Sequence, residues 1–166
     1  MPTLLLMRHA KSDWADAHLD DHERPLNERG KRDAPRMGQW LRDREVIPSR
    51  IVSSSAVRAK QTAERVVNGL GVARPLNLRD DLYHATVETW LEMLARLPDS
   101  DECILCIGHN PGLEGLVLQL TGRPERMSTA AIAVIDVRPP GWASLKTDDV
   151  PAKLRVVWRP KELPER

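Results

Sequence analysis

Two short apolar runs, each ending beside a histidine, constrain the fold of this chain more than any other feature. Residues 4–7 (LLLM) lead into Arg8 and His9, and residues 103–107 (CILCI) are followed by Gly108 and His109. A continuous apolar run of this length is typical of a strand buried on both faces, as in a parallel sheet covered by helices. Open α/β sheets place their ligand sites at the carboxyl ends of such strands. The runs therefore predict two buried strands that each deliver a histidine to a candidate site.

Helical and extended patterns alternate along the rest of the chain. Asn27 is a good N-cap for a helix to about residue 44, although Pro35 predicts a kink or a helix that starts only near it. Further helices are predicted over residues 55–67 (with a serine hydroxyl cap), 86–97 and 111–120, and further strands over residues 50–54, 75–78, 130–137 and 154–158. The last two strands should be joined by an exposed hairpin loop. This alternation predicts an α/β fold, a three-layer sandwich with a mostly parallel central sheet flanked by helices.

Length and composition exclude several classes of protein. The 166 residues favour one domain over residues 1–166, and 41% apolar with 30% charged residues is near the globular norm. A formal net charge of +1 gives no electrostatic case for a nucleic-acid or membrane partner. The apolar runs are far shorter than the roughly 18 residues of a membrane span. With no basic segment or cleavage site before the first strand, we expect a cytoplasmic protein.

Two pairs of residues have spacings typical of metal or redox sites, but the sequence around them favours structural roles. Cys103 and Cys106 form a C-x-x-C inside an apolar strand, where positions three apart point to opposite faces. They are therefore expected to be two reduced core thiols. His18 and His22 could form a metal pair on a helix, but they lie in an acidic loop without a suitable third ligand, and Asp20 and Asp21 of that loop are expected to be solvated. We expect no metal site and no cofactor.

Four residues fall where the predicted strands end, namely Arg8, His9, Arg58 and His109. Each alone has an ordinary structural interpretation, because strand-end histidines are often only hydrogen-bonded and helical arginines are often surface residues. Together, two guanidinium groups and two imidazoles suit a compact dianion such as a phosphoryl group, and nearby helix N-termini add N–H donors. The chain has no P-loop, no cysteine beside an arginine loop and no acidic Mg²⁺ cluster. Histidine is then the candidate nucleophile.

With these motifs the chain resembles the histidine phosphatase superfamily, which has the phosphoglycerate mutase-like fold, and within it the small SixA-type phosphohistidine phosphatases. The matching motifs are residues 6–14 (LMRHAKSDW), 24–30 (RPLNERG), 53–63 (SSSAVRAKQTA), 82–85 (LYHA) and 108–111 (GHNP), in the family's order. The resemblance implies that His9 is the phosphorylated nucleophile. It also implies that phosphoryl oxygens are held by Arg8, Arg58 and His109, with Ser12 and Asn110 as further candidate phosphate ligands.

The sequence departs from the broad family at three points. Ala10 stands where glycine is usual, and Ala15 stands where larger relatives have a phosphate-binding asparagine. Those relatives also place a carboxylic acid near the position of residues 83–84, often within an insertion that this chain lacks. The nearest carboxylates in the sequence are Asp80, Asp81 and Glu88, and any of them is a candidate acid.

The absence of a carboxylic acid at residues 83–84 affects which class of substrate is expected. An alkoxide leaving group gains from a positioned acid, whereas the imidazole of a phosphoramidate leaves readily without one. A cleft without an insertion also favours a phosphoryl group carried by a protein. We therefore expect a phosphohistidine phosphatase acting on a phosphorylated protein, such as a histidine phosphotransfer domain. The alternatives are a small-molecule phosphomonoesterase, favoured by a carboxylic acid within reach of the site, and a phosphate-binding module without turnover.

Overall fold

The first apolar run forms a strand at the centre of a mixed sheet. The computed structural model describes residues 1–146 and 149–164, and within them the sheet has six strands in the order β3-β2-β4-β1-β5-β6. The strands are β1 (Thr3–Arg8), β2 (Arg50–Ser54), β3 (Leu76–Arg79), β4 (Cys103–Gly108), β5 (Ile132–Val137) and β6 (Ala152–Trp158). β1 to β4 are mutually parallel, and β5 runs antiparallel to both of its neighbours. The predicted fold class is confirmed.

The pairing of β1 with β4 sets the position of the two histidines. The strands are parallel and in register, so that Arg8 lies opposite Gly108. The His9 amide then donates to the Gly108 carbonyl at 3.0 Å, one step beyond the ladder. His9 and His109 therefore leave the sheet side by side at its carboxyl edge, as the two apolar runs predicted.

Alternate residues of β1 face two separate cores. Leu5 and Met7 pack with the helices α1 (Glu28–Asp43) and α2 (Val57–Leu70) on one face. Leu4 and Leu6 pack with α3 (Val87–Ala95) and α4 (Gly112–Thr121) on the other. All four side chains are fully buried, because a strand covered on both faces has no polar side to present.

The two cysteines follow the same alternation. Cys106 belongs to the α3–α4 core and Cys103 packs against the α1–α2 core, and both are free thiols. Burial raises the pKa of Cys103 to about 11 and that of Cys106 to about 12. Thiols so far from ionisation are poor nucleophiles, which agrees with their interpretation as core residues.

Several predicted boundaries shift for local reasons. α1 begins at Glu28, because the Asn27 side chain caps the Gly30 amide at 2.9 Å, and Pro35 is accommodated inside the helix. The prediction that the helix starts only near Pro35 is wrong. α2 begins at Val57 with Ala56 as its N-cap, so the serine cap is also wrong.

The connection before β6 differs from the exposed loop that we expected. Residues Trp142–Lys146 form a short 3-10 helix in which Trp142 and Leu145 are buried in the α3–α4 core. The indole Nε1 of Trp142 donates to the Asp101 carbonyl at 2.9 Å. The proline and glycine residues that precede Trp142 concealed this burial in the sequence. No helix among the described residues is long and apolar enough to cross a membrane.

Helices α1 and α2 cross at two glycines. A Cβ added to Gly38 would lie 2.2 Å from the Val66 carbonyl oxygen, and one added to Gly69 would lie 2.0 Å from the Pro35 carbonyl oxygen. Each glycine thus meets the backbone of the opposite helix, which cannot move aside as a side chain can. This close approach packs the C-terminal half of α2 directly against the backbone of α1.

We predict that Gly38→Ala and Gly69→Ala each lower the free energy of unfolding by about 1–3 kcal/mol, because the helices must separate. Urea denaturation measures this change. Gly115→Ala on α4 is the control, since its added Cβ would meet only the Val87 Cγ2 atom, at 3.0 Å. A loss at Gly115 as large as at Gly38 and Gly69 would contradict the role of the crossing.

Candidate active site

The carboxyl edge of the sheet brings the four predicted residues into one cluster. The ring centroids of His9 and His109 lie 5.1 Å apart. Arg8 ends β1, and Arg58 lies in the first turn of α2 with only 3% of its surface exposed. Both guanidinium groups are close enough to His9 to lower its pKa. Taken alone, each residue could be a structural histidine or a surface arginine. The clustering of all four does not fit that interpretation.

The His9 ring is held in one tautomer by the backbone. Its Nδ1 lies 2.8 Å from the Ala10 carbonyl oxygen, in a buried contact. Because a carbonyl only accepts, Nδ1 carries the proton and Nε2 is left as the free base. A neutral imidazole with a free Nε2 is the form that a nucleophile needs.

Helix α2 holds the backbone that follows His9 through hydrogen bonds. The Ala10 amide donates to Thr62 Oγ1 at 3.0 Å, and the Thr62 hydroxyl donates to the Arg58 carbonyl at 2.7 Å. Thr62 is fully buried. One hydroxyl therefore links the residue after His9 to the backbone of Arg58.

The second imidazole is oriented by the end of β2. His109 Nε2 lies 2.8 Å from Ser54 Oγ, which also accepts from the Ala56 amide at 3.2 Å. The other ring nitrogen, Nδ1, is buried without a protein partner. Ser54 thus fixes the ring through Nε2, and Nδ1 remains able to bond a substrate oxygen.

Burial keeps both imidazoles neutral. Desolvation is the largest cause that lowers the pKa of His9 to about 3, and the nearby arginines lower it further. Desolvation also lowers the pKa of His109 to about 3, with smaller effects of His9 and Arg58. Since each imidazole binds a proton only near or below pH 3, both are uncharged at neutral pH.

Unpartnered buried polar atoms concentrate in this cluster. Among the described residues, six buried side-chain nitrogen or oxygen atoms have no hydrogen-bond partner. Four of the six belong to predicted site residues, namely Arg8 Nε, Arg58 Nε, His109 Nδ1 and Asn110 Oδ1. Native proteins rarely bury polar atoms unsatisfied away from functional sites. Three of the four are groups that can donate to an oxyanion.

A carboxylate that the sequence placed in a solvated loop joins the cluster. Asp21 Oδ2 accepts from Arg58 Nη2 at 2.9 Å and from the Tyr83 hydroxyl at 2.6 Å. It also lies 3.7 Å from His84 Nε2. The hydrogen bond from Tyr83, followed by that from Arg58, holds the pKa of Asp21 well below its usual range. The group is therefore a carboxylate anion, and not an acid, in this arrangement.

Asp21 forms hydrogen bonds with the cluster, whereas the carboxylates named as candidate acids from the sequence are described by other contacts or positions. Asp81 is paired with Arg79 through two hydrogen bonds, of 2.9 and 2.7 Å. Asp80 starts the short 3-10 helix after β3, and Glu88 lies in the first turn of α3. Asp21 was missed because it reaches Arg58 only through the long-range folding of the loop.

The two further phosphate ligands that we predicted are both engaged by the protein. Ser12 Oγ accepts from Arg24 Nη1 at 3.0 Å, and Asn110 Nδ2 donates to the Met127 carbonyl at 2.8 Å. Arg8 Nη1 donates to the same carbonyl at 3.3 Å. These contacts show Ser12 and Asn110 supporting neighbouring residues, and their role toward phosphate stays a prediction.

Met127 lies between α4 and β5, in a segment for which the sequence predicted neither a helix nor a strand. Its carbonyl accepts from Arg8 and Asn110, and its amide donates to Glu114 Oε2 at 2.8 Å. The segment therefore positions Arg8 from outside the sheet. Met127 is itself buried, although polar residues surround it in the sequence.

In residues 1–146 and 149–164, no group of three or more His, Cys, Asp or Glu side chains could hold a metal ion. His18 and His22, for which the sequence offered no suitable third ligand, belong to no such group. His22 instead bonds Ser55 Oγ and Glu23 Oε1, at 3.0 and 3.1 Å.

We predict that His9 and His109 do not titrate between pH 5 and 8, because burial favours their neutral forms. Two-bond ¹H–¹⁵N spectra of the imidazoles measure this and should show His9 protonated at Nδ1. Assignments come from His9→Ala and His109→Ala. In Arg58→Ala both pKa values should rise, since one positive neighbour is gone. A midpoint near the ordinary value of about 6.5 for either ring in the unaltered protein would contradict the arrangement.

Comparison with known proteins agrees with this geometry. The family model of the histidine phosphatase superfamily (branch 1) matches residues 4–96. An uncharacterised protein of Mycobacterium tuberculosis, Rv1276c, is 33% identical over 162 residues, which cover 87% of this chain and 99% of that protein. The phosphohistidine phosphatase SixA of Escherichia coli is 27% identical over 162 residues, covering 92% of this chain and 96% of SixA.

A solved structure shows the same likeness in three dimensions. The protein histidine phosphatase SixA complexed with tungstate superposes with a TM-score of 0.85 at 25% identity, covering 98% of this chain and 99% of that one. The resemblance predicted from the motifs is thus confirmed. The family model spans more than half of the chain, so the chain belongs to branch 1 of the histidine phosphatase superfamily.

Proposed function

We propose that this protein is a metal-independent phosphatase that hydrolyses phosphohistidine on a protein, through a phosphohistidine intermediate on His9. The observation that carries the proposal is the pair of neutral imidazoles, 5.1 Å apart, flanked by Arg8 and Arg58. The similarity to SixA, named as a phosphohistidine phosphatase, supports the substrate class. That a SixA structure holds tungstate, a phosphate-like oxyanion, supports a phosphoryl site.

In the first step His9 Nε2 attacks phosphorus in line with the leaving group. A new P–N bond forms as the P–N bond to the substrate imidazole breaks. In this proposal Arg8, Arg58 and His109 Nδ1 hold the equatorial oxygens, where charge is greatest in the transition state. His109 is then a donor, and a bound dianion raises its affinity for a proton.

In the second step water attacks the phosphoryl group on His9. The P–N bond breaks, the imidazole regains its free Nε2, and inorganic phosphate leaves. The contact from Nδ1 to the Ala10 carbonyl keeps the ring in place through both steps. Catalysis is therefore mostly positioning and charge stabilisation.

The state of Asp21 favours phosphohistidine over phosphate esters. A substrate imidazole protonated on its second nitrogen leaves as a neutral molecule and needs no acid. An alkoxide needs a proton from the enzyme, and Asp21 is held ionised by Tyr83 and Arg58. The alternative, a small-molecule phosphomonoesterase, rests on the same residue, because Asp21 is a carboxyl group within reach of Arg58. In that case a bound dianion would have to raise the pKa of Asp21 enough for it to donate.

A non-catalytic phosphate-binding module is the third candidate. The intact cluster of Arg8, His9, Arg58 and His109 argues against it, since a decayed site tends to lose its nucleophile first. A cytoplasmic location also belongs to the proposal. The two free cysteines, 103 and 106, fit a reducing compartment.

We predict faster turnover of a phosphohistidine protein than of phosphate esters. The measurement compares kcat/KM for a histidine phosphotransfer domain phosphorylated with phosphoramidate against a panel of phosphomonoesters. EDTA should leave the activity intact, and vanadate or tungstate should inhibit. Restoration of EDTA-sensitive activity by a divalent ion would contradict the metal-independent mechanism. A preference for an ester would favour the alternative.

Asp21→Asn is the matched control that separates the two enzymatic functions. With phosphohistidine, the variant should stay within about tenfold of the unaltered protein, because no acid is required. If Asp21 is a general acid for esters, ester turnover should fall by about 10²–10⁴-fold. Such a loss, with ester turnover exceeding phosphohistidine turnover in the unaltered protein, would establish the phosphomonoesterase.

A further inference from the structure

The loop that follows His9 presents apolar side chains to solvent beside the candidate active site. We call residues 13–20 the rim loop. Trp14 is 69% exposed and Leu19 is 40% exposed. Of the seven large apolar side chains exposed in the described part of the chain, these two share one eight-residue loop. A large exposed aromatic side chain beside a functional site is a common feature of protein-binding surfaces.

Trp14 is held in place rather than free. The Arg24 Cζ atom lies 3.3 Å from the centroid of its ring, in a cation–π stack. Arg24 is itself only 6% exposed, and it donates to Ser12 Oγ and to Asp21 Oδ1 at 3.0 and 3.1 Å. A rigid aromatic ring loses little entropy when a partner binds, which is what a binding anchor requires.

The same contacts connect the rim loop to the phosphoryl site. Asp21 bridges Arg24 and Arg58, because its Oδ1 accepts from Arg24 Nε and its Oδ2 accepts from Arg58 Nη2. Trp14 is thus three contacts from a proposed phosphate ligand. A protein whose phosphohistidine entered the site would lay its neighbouring residues against this loop.

The charge of the rim loop narrows the kind of partner. It contains Asp13, Asp16 and Asp20 and no lysine or arginine. Asp13 and Asp16 accept backbone amides within the loop, of Ala15 and His18, at 2.7 and 2.9 Å. Three carboxylates beside a phosphate site repel a small free dianion. They attract a phosphorylated segment that also carries basic side chains.

We propose that the rim loop is the docking surface for the protein substrate, and that it selects a phosphohistidine flanked by apolar and basic residues. This inference rests on the proposed function and assigns its substrate specificity to Trp14 and the acidic side chains. The occupant is the substrate segment itself. Trp14 supplies the apolar contact, and Asp16 and Asp20 supply the charge.

The test uses two synthetic phosphohistidine peptides of equal length, one with Leu and Lys beside the phosphohistidine and one with Ser and Glu. The unaltered protein should have a higher kcat/KM for the Leu–Lys peptide. Trp14→Ala should lower kcat/KM for that peptide by about 10–100-fold, mainly through KM. Free phosphoramidate, which cannot reach the rim loop, should change by less than about threefold.

Two controls keep the result specific to the rim loop. Trp40→Ala removes another tryptophan stacked by an arginine, Arg44, whose Cζ lies 3.9 Å from the Trp40 ring centroid. Because Trp40 lies on α1 and outside the rim loop, its loss should leave the peptide preference unchanged. Asp20→Lys reverses one charge of the rim loop and should reduce the preference for the Leu–Lys peptide without lowering phosphoramidate turnover.

The outcomes separate this inference from the proposed function. Equal kcat/KM for the two peptides, or a preference that survives both Trp14→Ala and Asp20→Lys, would overturn the docking surface while leaving the phosphatase intact. Concentration-dependent dimerisation that is lost in Trp14→Ala, with no peptide preference, would assign the rim loop to a second copy and also overturn it. Failure to hydrolyse either peptide or phosphoramidate, with turnover of esters, would overturn the proposed function itself.

Discussion

The in-register parallel pairing of β1 with β4 is the constraint on which the rest of the site depends. It places Arg8 opposite Gly108, so the next residues of the two strands are His9 and His109. A slip of one residue would turn every side chain of a strand to the other face. Apolar residues on both faces of β1 do not by themselves set this register. The register is set by the hydrogen bond from the His9 amide to the Gly108 carbonyl and by the packing of the two cores.

Burying a guanidinium group and two imidazoles costs free energy of desolvation. Hydrogen bonds to neighbouring groups and the neutral state of the imidazoles reduce that cost. Arg58 is nearly fully buried, and its Nη groups donate to the carbonyl and the carboxylate of Asp21. The two imidazoles avoid the cost of a buried charge by staying neutral. Neutrality also serves the chemistry, because a protonated His9 could not attack phosphorus. Burial, tautomer and proposed reactivity therefore follow from the same local packing.

Much of the fold was predictable because it follows from strong local patterns. The apolar runs of β1 and β4, the Asn27 cap and the predicted helix over residues 86–97 each correspond to an observed element. The residues that converge at the strand ends were predictable for the same reason. Their catalytic roles remain predictions of the family resemblance.

What the sequence did not reveal depends on contacts between distant segments. Asp21 looked like one of several solvated carboxylates, and only the folded loop brings it to Arg58, 37 residues away. Ser54 appeared in the sequence only as the last residue of a predicted strand, whereas it bonds His109, 55 residues away. Trp142 lay in a segment rich in proline and glycine, which gave no periodicity from which burial could be inferred. In each case the determining partner lies on another element.

The central claim is that His9 forms the covalent bond to phosphorus. Rapid mixing with ³²P-phosphoramidate, an alkaline quench and peptide mapping test it most directly. The account predicts an acid-labile, alkali-stable label on His9, absent in His9→Ala and formed more slowly in His109→Ala. A label on His109, or turnover in His9→Ala above a few per cent of the unaltered protein, would contradict it.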